Sequence, residues 1–235
     1  MNNEIFALKP IAHIRTDFKE KFGIPRQSGL VEELRAEIVF EPEFRHPEAL
    51  RGIEGFDYLW LIWRFSANRH DDWHPTVRPP RLGGNARMGV FATRSPFRPN
   101  PLGLSSVRLI EVKHTETEGD ILVVAGADLL DNTPIYDIKP YIPYSDSHEG
   151  ARAGFANQKP PAPLKVKISD EVLKVIPPDK HAALKSVLAQ DPRPAYQNDP
   201  ERVYGLSFSR FDLHFKVEND VLTVLDIQKQ KNAEG

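Results

Sequence analysis

The sequence predicts a mainly β protein, with a barrel-like N-terminal part and a smaller mixed part after a linker. Three observations lead there. Short apolar or alternating runs, separated by Gly, Pro and Asx turns, recur as far as Pro140 with few helical periods between them. Between about Ser147 and Pro163 the text changes to Gly, Ala, Asn, Lys and Pro, which reads as a linker. Beyond it, a helical period precedes a closing pair of alternating runs.

The elements follow in order. Ile5, Ala7, Pro10, Ile11 and Ile14 alternate weakly and suit a first strand, and Gly23 to Gly29 reads as a loop. Ala36 to Phe40 is a short strand ended by Pro42, and Pro47 to Gly52 is one helical turn with proline near its start and glycine after it. Phe56 to Phe65 is nearly continuous in apolar residues, which predicts a strand covered on both faces. Leu59, Leu61 and Ile62 are expected in the core; Trp60 and Trp63 are core or an aromatic wall. Met88 to Thr93 opens like a strand. Leu104 to Val112 and Ile121 to Ala127 read as strands joined by a turn at Glu118-Gly119-Asp120, and Asp128 to Pro140 is acidic, apolar and turn-bearing. A short helix is expected over Ser169 to Val175. A better one spans Asp179 to Ala189, with Leu184, Val187 and Leu188 on one face. Phe211, Leu213, Phe215 and Val217 alternate, and a turn at Glu218-Asn219-Asp220 leads to Val221 to Ile227, so a hairpin closes the chain.

Composition bounds the function. The 235 residues are 40% hydrophobic and 27% charged, which is ordinary for one or two globular domains. There are no cysteines, which excludes disulfides, thiolate metal sites and cysteine nucleophiles and suits a reducing compartment. No signal peptide is visible, and the longest apolar run is about half of the ~20 residues that a membrane helix needs. A cytoplasmic protein without membrane attachment is expected.

The most informative stretch runs from Arg87 to Leu104. Pro96, Pro99 and Pro101 fix φ and remove donors, and Ser95, Arg98 and Asn100 before them are pushed toward extended backbone. The result is a stiff loop bearing Arg94 and Arg98. Guanidinium forks on such a loop suit carboxylate or phosphate; the plainer alternative is a surface turn with solvated arginines. The window from Arg64 to Ile110 carries eight arginines, no lysine and only Asp71 and Asp72, a local +6 within a chain of net charge −2. Such a basic stretch is a footprint for a polyanion unless acids elsewhere neutralise it.

Other motifs narrow the field. There is no G-x-G-x-x-G, no P-loop and no G-x-S-x-G elbow. His70 and His74 have the spacing of a zinc pair, but Pro75 argues against a helix and no third ligand is evident, so no metal is expected. Asp128 and Asp131 flank two leucines. Acids in that setting bind ribose hydroxyls or an ammonium group, or they close an Asx-type turn on backbone N–H groups; both readings stand.

Four stretches carry a resemblance. Pro25 to Gly29, Gly55 to Trp60, Gly89 to Gly103 and Asp128 to Pro134 resemble the TsaA-like (TrmO) family, and Asp191 to Tyr196 is similar to the C-terminal part of its bacterial tRNA methyltransferases. The resemblance implies a small β-barrel domain over residues 1–150 that binds S-adenosylmethionine, and a smaller α+β domain over 160–235. It implies methylation of N6 of threonylcarbamoyladenosine at position 37 of threonine tRNA, an anticodon stem-loop as partner, and a homodimer. Carried over by position, the cofactor touches Pro25, Arg26, Gln27, Arg69, His70, Arg94, Leu104, Asp128, Leu129, Leu130 and Asp131. The N6 proton must leave during transfer, which a general base assists. Asp131 and Asp137 are the candidates, with His70 weaker. Arg98 and Arg193 are candidates for the threonine carboxylate of the substrate. The competing reading is a non-catalytic tRNA- or RNA-binding module on the same basic stretch; a third is a regulatory small-ligand binder.

Overall fold

The computed structural model describes residues 6–67, 73–157, 162–194, 197 and 199–230. In chain order the strands of the first part are β1 (Ala12–Arg15), β2 (Arg35–Phe40), β3 (Tyr58–Arg64), β4 (Thr76–Val77), β5 (Met88–Gly89), β6 (Leu102–Thr115), β7 (Gly119–Ala125) and β8 (Thr133–Pro140), followed by the helical turn α1 (Pro143–Asp146). The second part contains β9 (Lys165–Lys167), α2 (Asp170–Leu173), α3 (Pro178–Ala189), β10 (Tyr204–Phe208), β11 (Phe211–Glu218) and β12 (Val221–Lys229). The protein is mainly β.

Six strands close into a ring in the order β1-β2-β7-β6-β3-β8, with every neighbouring pair antiparallel. The inward face follows from period-two alternation. In β3, Leu59, Leu61 and Trp63 point inward while Tyr58, Trp60, Ile62 and Arg64 point out. The expectation of two covered faces, with Ile62 in the core, is therefore corrected: one face lines the ring, and Ile62 is only partly buried. Outside, Trp60 packs on Tyr141 and donates Nε1–H to Asp146 at 2.9 Å.

Other differences have local causes. The strand expected over Met88 to Thr93 lasts two residues, pairing Thr76 and Val77 with Gly89 and Met88. Val90 then donates its N–H to the Pro75 carbonyl and is buried, and Val90–Ala92 tightens into a 3-10 turn. Strand β8 lies within the stretch read only as turn-bearing; its first half follows the Asn132 turn, at φ 58°. The structure adds β10 to the elements expected from the sequence, with Tyr204, Leu206 and Phe208 alternating and buried.

The second part is a four-stranded sheet, β10-β11-β12-β9, in which β9 runs parallel to β12. Asn219 and Asp220 at φ 46° and 61° form the tight turn between β11 and β12, as short polar side chains tolerate the left-handed region. Phe211, Leu213, Phe215 and Val217 are buried beneath α3, which contributes Ala183, Leu184, Val187 and Leu188.

This second core is not confined to the second part. Phe18, Val31 and Leu34, from the segment between β1 and β2, belong to it. Phe18 meets Phe208 edge to face at 5.8 Å. Asp17, 8% exposed, pairs with Lys180 at 2.6 Å. Gly23 has φ 92°, and a Cβ there would lie 2.1 Å from Leu206 Cδ1, so this segment passes where only glycine fits. Among the described residues, no helix is long and apolar enough to cross a membrane. Phe18→Ala is expected to cost about 3–5 kcal/mol, the range for truncating a buried aromatic. Chemical denaturation of the variant should lose cooperativity between the ring and the second sheet, read as two transitions by tryptophan fluorescence and far-UV circular dichroism.

Candidate active site

A cavity of about 630 Å³ opens at one end of the ring. Five pieces of chain build it. The loop after Gly23 supplies Pro25, Arg26 and Gln27; the end of β3 supplies Trp63 and the chain beyond it Phe65; the proline loop supplies Thr93, Arg94 and Arg98; the start of β6 and the turn after β7 supply Gly103, Leu104, Asp128 and Leu130. The ends of β3 and β6 are neighbours because the two strands pair from Tyr58↔Arg108 to Arg64↔Leu102. The turn after β7 reaches the loop after Gly23 through Gly29 N–H to the Gly126 carbonyl at 2.9 Å.

The proline loop is stiffened beyond its prolines. Thr93 Oγ1 donates to the Val90 carbonyl at 2.8 Å, Ser95 N–H to Thr93 Oγ1 at 3.2 Å, and Phe97 N–H to Ser95 Oγ at 3.3 Å. Arg98 Nη1 donates to the carbonyls of Thr93 and Ser95 at 3.1 and 3.4 Å, closing the loop on itself. Arg94 Nη1 donates to Gln27 Oε1, tying this loop to the one opposite.

Charge in the cavity is asymmetric. Lys21, Arg26, Arg94 and Arg98 line it, and Asp128 is the one acid among the described lining residues. Asp128 Oδ1 accepts from Ser105 Oγ at 2.6 Å. Burial pushes the Asp128 carboxyl above the usual carboxylate range; the Ser105 hydrogen bond, backbone N–H groups and the Arg94 charge pull it partly back.

The expected site residues separate into groups. Pro25, Arg26, Gln27, Arg94, Arg98, Leu104, Asp128 and Leu130 all line the one cavity. Leu129 turns into the ring core at 1% exposure. Asp131 does not line the cavity: its Oδ1 accepts from Thr16 N–H at 2.9 Å, its Oδ2 from Asn132 Nδ2 at 3.1 Å, and its own N–H donates to the Phe18 carbonyl at 2.7 Å. Asp137 lies on β8 in register with Ile62, accepts from Ile138 N–H at 2.9 Å and pairs with Lys139 at 2.8 Å. Arg193 is held by Asp191, with Nε–Oδ1 and Nη2–Oδ2 at 2.8 and 2.9 Å, and that bond holds its guanidinium above the usual arginine range. Its carbonyl accepts from Arg26 Nη2 at 3.4 Å, which joins the second part to the cavity rim. Arg69 and His70 lie outside the described residues. The two readings of the paired acids thus divide: Asp128 faces the cavity, and Asp131 braces a turn. The sequence reading missed Lys21, Phe65, Gly103 and Ser105. Only the aromatic wall suggested for Trp63 hinted at them.

Two family models cover most of the chain: the tRNA-methyltransferase O N-terminal domain over residues 13–147 and the TrmO C-terminal domain over 161–230. The chain belongs to the TrmO family. Its cavity residues Pro25, Arg94 and Asp128 all fall within the first TrmO model. The tRNA (adenine(37)-N6)-methyltransferase of Escherichia coli K12 is 43% identical over 90% of this chain and 93% of that protein. The protein of the same name from Eikenella corrodens is 47% identical over 72% of this chain and 95% of its own. A crystal structure of TrmO superposes with a TM-score of 0.77 at 35% identity, covering 95% of this chain and 99% of that one.

Because burial raises the Asp128 pKa, the fold penalises its charged form. The stability tied to this group is full at low pH and is lost as pH rises through the raised folded value. Asp128→Asn removes that loss. Its melting temperature at neutral pH should equal or exceed that of the parent, and the difference should shrink on acidification, as thermal scans across pH will read.

Proposed function

We propose that this chain is an S-adenosylmethionine-dependent methyltransferase that modifies N6 of adenine 37 of tRNA, in its threonylcarbamoylated form in threonine tRNA. The observation that carries the reading is the cavity, which gathers the motif residues of the TrmO resemblance around one carboxylate and several cations. Two relatives, covering 90% and 72% of this chain, are named for tRNA (adenine(37)-N6) methylation, and one from Pseudomonas aeruginosa is provisionally named an S-adenosylmethionine-dependent methyltransferase. Those names favour an enzyme over a binding module.

The residues fit the cofactor. It carries an ammonium and hydroxyls that need acceptors, a carboxylate that needs cations, and an adenine that needs an apolar wall with an amide nearby. Asp128 supplies the acceptor, Arg94 and Arg26 the cations, Leu104 and Leu130 the apolar wall, and Gln27 the amide. When bound, the cofactor supplies an electrophilic methyl group. The protein's part is to hold the reactants in line, and the stiff proline loop limits the freedom lost in doing so. We assign Arg98 to that loop and to the substrate side of the cavity, and Asp131 and Asp137 to bracing, on the hydrogen bonds described above. Arg193 contributes through Arg26. We read the ring as a small barrel that presents this cavity at one end.

Exposed Arg64, Arg78, Arg81 and Arg87, in the same basic stretch as Arg94, support contact with the phosphates of an anticodon stem-loop. The homodimer implied by the resemblance is part of the proposal; Phe91 and Tyr144, 73% and 90% exposed, offer apolar surface for it.

Purified protein, S-adenosylmethionine and tRNA with or without the threonylcarbamoyl group test the reading by nucleoside mass spectrometry. A methylated product from the modified tRNA alone is expected; none from either would leave a binding module. tRNA affinity should fall steeply as salt rises, because phosphate contacts release counterions. Arg98→Ala should lower cofactor affinity and methylation together, by about tenfold, because it removes the Nη1 donor that closes the loop on the Thr93 and Ser95 carbonyls.

A further inference from the structure

Ser105 is 1% exposed and places a hydroxyl inside the ring. It lies on β6 opposite Leu61 of β3, one inward step from the pair Trp63↔Gly103. A Cβ on Gly103 would sit 2.3 Å from Trp63 Cε2. The indole therefore lies flat across the glycine, and its Nε1 comes to 3.0 Å from Ser105 Oγ.

The direction of this contact is fixed. An indole N–H only donates, so the Ser105 oxygen accepts there. The hydrogen of Ser105 is then free for Asp128 Oδ1, at 2.6 Å, within the range of a charge-assisted O–H···O⁻ bond. Trp63 donates to Ser105 and, with the carboxylate ionised, Ser105 donates to Asp128.

We propose that Trp63 and Ser105 are positioning residues that hold the Asp128 carboxylate ready to receive a donor group of the cofactor, its ammonium or a hydroxyl. The inference rests on the reading of this cavity as an S-adenosylmethionine site. Asp128 has special need of such support. It is half-buried, and among the described residues the other charged groups sharing its cavity are Lys21, Arg26, Arg94 and Arg98. Those cations draw the anionic end of a ligand to themselves, which leaves Asp128 as the acceptor for its cationic or hydroxylic end. Burial drives the carboxyl toward its protonated form, and the Ser105 hydrogen bond is the largest influence opposing that. Without it, the carboxylate loses its fixed orientation and the largest influence that favours its ionised form. Ser28, whose backbone N–H also reaches Asp128, and Ser106, whose N–H bonds Ser28 Oγ at 3.2 Å, complete the support from the facing loop.

The test uses Ser105→Ala, Trp63→Phe and the double variant in the full chain, with S-adenosylmethionine titrated by calorimetry from acid to neutral pH. Ser105→Ala should weaken binding about tenfold at neutral pH, as expected for losing one hydrogen bond to a charged group. The pH at which binding is half lost should also move upward, because a bond that favours the ionised carboxylate has gone. Trp63→Phe keeps an aromatic ring, removes only the donor, and should shift both readouts the same way by less. The double variant should lose no more than Ser105→Ala, because both residues act through one carboxylate. Melting curves establish that the variants are folded. Parent-like affinity and an unmoved pH midpoint in Ser105→Ala overturn the proposal, as do losses that add fully in the double variant. If Ser105→Ala does not fold, an unmoved midpoint in Trp63→Phe overturns it alone. If the parent protein itself does not bind the cofactor, the functional reading fails instead.

Discussion

A ring of strands removes its exposed edges only if the last strand finds a partner on each side. Here β8 does so, pairing with β1 through Ala12↔Ile135 and with β3 through Leu61↔Ile138. That closure places the cavity. It pulls the turn before β8 against the end of β1, where Asp131 N–H bonds the Phe18 carbonyl and Asn132 N–H bonds the Ile14 carbonyl at 2.8 Å. Once that turn is fixed, Asp128 has no choice but to face the loop bearing Gln27. Asp131 serves as the clasp and Asp128 as the wall of the site, although the two acids are separated by only two leucines.

The closure also explains how a protein with few helices builds a cavity lined by polar and charged side chains. The ring interior is filled by Ile14, Leu59, Leu61, Leu122 and Ile135, each 0% exposed, so no ligand enters it. The cavity lies instead at the rim, where strand ends and loops meet, and its shape depends on loops being stiff. Prolines restrict the backbone of one loop, hydroxyl-to-backbone bonds at Thr93 and Ser95 restrict it further, and Arg98 ties it shut. Across the cavity, a glycine where an indole must pass lets Trp63 serve at once as core, wall and hydrogen-bond donor.

Among the described residues, the second part contributes to the rim without lining the cavity. Its core takes in Phe18, Val31 and Leu34 from the very segment that carries Pro25, Arg26 and Gln27. Arg26 then reaches the Arg193 carbonyl. A disturbance of the second sheet therefore reaches the loop that bears Pro25, Arg26 and Gln27 through packing, a route that side-chain chemistry in the cavity alone does not reveal.

By itself the sequence determined a good deal. Period-two alternation marked β11, the turn after it β12, the run around Leu59 β3, and the helical face of Leu184, Val187 and Leu188 α3, because such patterns are local and need no partner to be read. The prolines and arginines from Arg87 to Leu104 marked the loop that lines the cavity for the same reason: rigidity and charge are properties of the residues themselves. What stayed hidden was pairwise and long-range. Nothing near Ser105 in the sequence announces a bond to Asp128, since that contact depends on the register of β3, β6 and β7. Nor do Asp128 and Asp131 differ in type. Only the turn closing the ring decides which carboxylate faces the cavity and which is consumed by backbone N–H groups, because direction is a property of the fold and not of the residue.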